Sequence, residues 1–193
     1  MRFVLVCERR GIFISLEAPD QLLTPSVMEF MRLNLLENVL PSISPVDFND
    51  SFLHYAVSEG LPEGKDLRSP QVGYHIQIAW RWDVQLDVKK TLEEGTSVLF
   101  SNYIYESMPK DETYYFEQLK MQKGLLKPDL SICFVQEENV ASMKSLYAYD
   151  SSISVLNVER LINNDLVGIL KHVSQITYTS YAELMLQRCR YFE

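Results

Sequence analysis

Along this chain, short runs of apolar, β-branched and aromatic residues alternate with longer stretches whose apolar residues recur at helical spacing. That is the pattern of an α/β protein with a mainly parallel sheet flanked by helices. It predicts strands over residues 2–8, 12–17, 96–101, 130–136 and 153–158. A helix over 22–36 carries apolar Val27, Phe30, Met31 and Leu35, and Thr24-Pro25 reads as an N-cap followed by the proline that a first helical turn tolerates best. A helix over 74–94 ends at Gly95 and one over 112–123 at Gly124, each in the place of a left-handed residue closing a helix. Residues 159–192 read as two helices with a polar break near 177–180. Between positions 41 and 70 lie four of the eight prolines and two of the seven glycines, around a short helix-like piece at 50–59. This stretch reads as a surface excursion in which Asp47, Glu63 and Asp66 are simply solvated.

A length of 193 residues suits one domain, taken as 1–193, and 47% hydrophobic with 23% charged residues supplies enough apolar side chain for a core. The net charge of -8, with no run of basic residues, argues against nucleic acid and anionic membranes as partners. The apolar run at 3–7 is too short to span a bilayer or to form a signal-peptide core, so a soluble protein of a reducing intracellular compartment, cytoplasm or nucleus, is expected. Cys7, Cys133 and Cys189 have no CxxC or Cys/His spacing and sit among apolar neighbours, which points to buried reduced thiols.

In open α/β sheets ligands bind at the carboxyl ends of the strands, which directs attention to 17–26, 40–45 and the residues from Ser101 onward. The first strand, Arg9-Arg10-Gly11-Ile12-Phe13-Ile14-Ser15-Leu16-Glu17, resembles the opening strand of thymidylate kinases, which runs into their phosphate-binding loop. Ala79-Trp80-Arg81-Trp82-Asp83 is similar to that family's A-N-R-W-E segment. Residues 92–103 fall on the strand that ends in its Asp-Arg-Tyr motif, and Gly124-Leu125-Leu126-Lys127-Pro128-Asp129-Leu130 resembles its G-L-P-K-P-D-L. The four segments occur in the family's order and cover roughly residues 9–175. The resemblance implies a P-loop-kinase-like three-layer fold.

Set against that family, the ligand-handling positions differ in one direction. A phosphate loop needs glycines so that backbone N–H groups can curl around phosphate oxygens, a lysine to neutralise charge, and a hydroxyl for Mg²⁺. Here Ala18 and Leu23 stand in place of the glycines, Thr24 in place of the lysine and Pro25 in place of the metal-binding hydroxyl, followed by Ser26. Proline also removes an N–H donor from the helix start. Ser101 and Asn102 replace the Asp-Arg pair, Ile43 the arginine of a Phe-Pro-x-Arg segment, and Gln77 the phenylalanine that stacks on thymine. Only 16 residues separate Gln136 from Ile153, where the family places an arginine-bearing lid, so the lid is expected to be deleted. Asp20 and Arg81 survive as a remnant nucleotide-binding pair, although a turn or capping role suits Asp20 and stacking on an aromatic face suits Arg81.

His54, His75 and His172 lack metal-ligand spacing, no G-x-S-x-G elbow is present, and no metal site or catalytic residue is expected. The aromatic residues Tyr103, Tyr105, Tyr114, Tyr115 and Phe116 suit either a core or an interface, and Tyr103, Trp80 and Trp82 are candidate contact residues. Residues 2–8 are a candidate extra edge strand.

Two expectations follow. The first is a catalytically inactive thymidylate kinase-like protein without a cofactor, acting through a protein partner or as a homodimer. The alternative is a divergent nucleoside monophosphate kinase or a nucleotide sensor using ATP and Mg²⁺. In that case Lys127 or Arg81 would supply the charge that Thr24 lacks.

Overall fold

A computed structural model describes residues 11–18, 24–40, 42–46, 70–103, 120–135, 153–157 and 166–190. Five strands form one sheet among them: β1 (Phe13–Glu17), β2 (Ile43–Val46), β3 (Ser97–Ser101), β4 (Leu130–Val135) and β5 (Ile153–Asn157). Three long helices accompany them: α1 (Pro25–Asn38), α2 (Pro70–Glu93) and α3 (Leu166–Arg190). The spatial order is β2-β3-β1-β4-β5, and every pairing is parallel.

All five residues of β1 and all five of β3 are buried, because helices cover both faces of the sheet. This is why those strands carry apolar residues on both faces, broken only by small serines and by Glu17. On one face Ile12, Ile14, Leu16, Leu99, Ile132 and Phe134 pack with Met28, Met31 and Leu35 of α1 and with Leu170 and Val173 of α3. On the other face Phe13, Val98, Phe100 and Tyr103 pack with Trp80, Val88 and Leu92 of α2. The outcome is the three-layer α/β architecture that the hydrophobic pattern and the resemblance both implied.

Local chemistry sets the ends of the elements. Thr24, in extended conformation, accepts a hydrogen bond from the Val27 N–H at its side-chain oxygen (3.3 Å), with Pro25 at the first helical position. Gly95 (φ 86°) and Gly124 (φ 103°) occupy the left-handed region where a side chain would be strained, as expected of residues that close helices. At Gly11 the constraint is space: an added Cβ would lie 2.1 Å from the Thr96 carbonyl oxygen, so the chain entering β1 can approach β3 only as glycine.

Two expectations are corrected. The polar stretch 177–180 does not break the last helix, since α3 is continuous from Leu166 to Arg190. Thr177 is buried, and the Thr179 hydroxyl donates to the Gln175 carbonyl one turn back (3.0 Å), a pairing that keeps a threonine inside a helix. Strand β2 was not foreseen. It is four residues long and carries Pro45, which the outer place of β2 among the described strands tolerates. The expected strand at 2–8 lies outside the described residues, as do the excursion between 47 and 69 and all of the 112–123 helix except its last turn.

Candidate functional site

Parallel sheets place their variable chemistry where neighbouring strands send the chain in opposite directions. β1 leads through α1 to β2 at one edge, whereas β3 leads back past β1 to β4, so the adjoining carboxyl ends of β1 and β3 form such a point. Here Glu17 ends β1 with only 3% of its surface exposed. Its carboxylate accepts a hydrogen bond from the Tyr103 N–H (3.0 Å) and another from the Ser15 hydroxyl. Burying a carboxylate is costly unless such donors surround it.

Asn102 follows β3 directly, with φ 53°, a conformation that asparagine tolerates better than most side chains. Its N–H donates to the Leu16 carbonyl (2.7 Å), and its side-chain oxygen accepts from the Ala18 N–H (2.9 Å). Its main-chain carbonyl accepts a long hydrogen bond from the Arg81 guanidinium (3.5 Å). Arg81 comes from the middle of α2 and is 1% exposed. The Tyr103 ring lies edge-on against Phe13 and Phe100, with centroids 5.0 and 4.7 Å apart. Burial pushes the Tyr103 hydroxyl above the usual tyrosine range; Arg81 opposes the shift and Glu17 adds to it.

Of the residues singled out by sequence, the structure brings Ala18, Ser101, Asn102 and Arg81 to this one strand end. Thr24 caps α1, Ser26 in its first turn is exposed, and Asp20 and Leu23 lie outside the described residues. Trp80, a candidate contact residue, is instead buried against Phe100, because α2 turns that face toward the sheet. Tyr103 is likewise core, whereas Trp82 is exposed (41%). Tyr105, Tyr114, Tyr115 and Phe116 lie outside the described residues. Cys133 is buried, and His75 and His172 are exposed. No group of three or more His, Cys, Asp or Glu side chains able to hold a metal ion occurs among the described residues. Nor is any described helix long and apolar enough to cross a membrane.

Sequence reasoning missed Glu17 as a hydrogen-bond centre and Asp129 as a structural pin. The Asp129 carboxylate accepts from the Phe13 N–H (2.9 Å) while its own N–H donates to the Phe13 carbonyl (2.8 Å). The available signal for Glu17 was a lone carboxylate closing a strand otherwise apolar except for Ser15.

No protein-family model matches the chain, and no curated protein matches it significantly. Solved structures do. Thymidylate kinase from Candida albicans superposes with a TM-score of 0.58 at 18% identity, over 86% of this chain and 94% of that one. Thymidylate kinase from Ehrlichia chaffeensis gives 0.60 at 12% identity, over 85% and 98%. The chain therefore has a thymidylate kinase-like α/β fold.

Proposed function

We propose that this chain is a non-catalytic thymidylate kinase-like protein that acts through protein contacts. The observation that carries the proposal is the start of α1. A helix N-terminus binds phosphate by offering free backbone N–H groups and a partial positive charge. Here Thr24, at the position of the phosphate-loop lysine, brings no positive charge and turns its own oxygen onto the Val27 N–H. Pro25 has no N–H to offer. Ala18, in a glycine position, is buried, and its N–H is already taken by Asn102. Phosphoryl transfer rests on positioning and charge stabilisation, and these residues do not fit Mg-ATP. In support of a contact role, Trp82 and Leu86 stand exposed (41% and 71%) one turn apart on α2, the kind of apolar surface that a partner covers.

The test is the melting temperature of the full chain with and without millimolar thymidine monophosphate, Mg-ATP, or both. A ligand that binds only the folded state must raise it. The expected result is no shift with any of them. A shift with either ligand would overturn the proposal in favour of a nucleotide binder, and a turnover assay would then separate sensor from kinase.

A further inference from the structure

From the three hydrogen bonds at Asn102 we infer that this residue is a built-in lock on the carboxyl-terminal end of the sheet. One residue joins three elements there: its N–H holds the Leu16 carbonyl of β1, its side-chain oxygen holds the Ala18 N–H, and its carbonyl receives Arg81 from α2. The left-handed backbone at φ 53° is what aims the side chain back across β1 in this arrangement. A residue held in that sparsely populated region persists only where its surroundings compensate, and the Ala18 and Leu16 bonds are that compensation.

Ala18 is the first residue past β1, so its N–H is the donor with which the chain leaves the sheet toward α1. By occupying it with an internal oxygen, Asn102 fixes the exit direction of the chain and closes that donor to any anion approaching the strand end. The lock rests on the geometry of β1 and β3 and stands whether or not the proposed function does.

The experiment is amide hydrogen exchange by NMR on the full-length protein, comparing wild type with Asn102→Gly and Asn102→Asp. Glycine keeps the left-handed conformation without strain but removes the acceptor, and aspartate keeps an acceptor at the same reach. Exchange at the Ala18 amide should rise about tenfold in the glycine variant, the equivalent of one hydrogen bond of ordinary net strength. Ile14 and Ser15, inside β1, should exchange as in wild type, and the aspartate variant should retain protection at Ala18. Unchanged exchange at Ala18 in the glycine variant would overturn the lock. So would an equal rise at Ile14 and Ser15, which would report a general loss of stability, or loss of Ala18 protection in the aspartate variant.

Discussion

The segment leading into β4 and the strand end around Ala18 and Asn102 both lie along β1, yet their side chains do different work. In the first, Gly124 packs against the Trp82 ring, the Leu126 N–H donates to the Gln85 side chain (3.1 Å), and Asp129 grips the backbone of Phe13 through two hydrogen bonds. This segment holds α2 and β4 to β1. At the other end, the Asn102 side chain takes the Ala18 N–H and the Thr24 side chain takes the Val27 N–H, so these groups too bond within the chain. One end of β1 is thus pinned by a segment that packs against α2, and the other by single side chains that satisfy the backbone where the chain leaves the sheet.

That contrast can be broken from either side. The largest effect is expected for Asp129→Ala, which leaves the Phe13 N–H without its charged acceptor in a part-buried site. Chemical denaturation should show a loss of about 2 kcal/mol. A loss within experimental error would mean that the best-matched segment is not structural after all. Thr24→Ala should cost about 1 kcal/mol, the ordinary value of an N-cap. The same measurement repeated with Mg-ATP should give the same loss, as the proposed function requires.

The smallest effect is expected for Tyr103→Phe, since the Tyr103 hydroxyl is buried without a hydrogen-bond partner among the described residues. Stability at neutral pH should stay within about 0.5 kcal/mol of wild type. A difference should open in alkali. Burial raises the Tyr103 pKa in the folded state, so the unfolded chain releases this proton first. Its stabilising contribution is complete below the unfolded value of about 10 and is lost as the pH climbs above it. Phenylalanine has no proton to lose, so the variant should overtake wild type there in denaturant midpoints. Parallel pH profiles for the two proteins would refute the assignment.

Much of the scaffold was legible in the chain. Strands β1, β3, β4 and β5 announce themselves as apolar runs, Thr24-Pro25 marks the start of α1, and Gly95 and Gly124 fall at positive φ. These signals are local: they depend on neighbours within a turn or a strand, and so survive in one dimension. The failures were equally physical. Strand β2 exists because β3 offers it a ladder, and α3 runs unbroken through 177–180 with Thr177 buried.

The candidate site was legible only as a set of substitutions. The sequence by itself determined that an α/β layering would form, and it drew attention to positions 18, 24–25 and 101–102. Only the tertiary structure decided which partners those residues take. The Ala18 N–H finds an acceptor 84 residues away in Asn102, and Glu17 holds the Tyr103 backbone at a separation of 86. Such partners are chosen by strand order and register, which bring β3 beside β1, and no local periodicity encodes that adjacency.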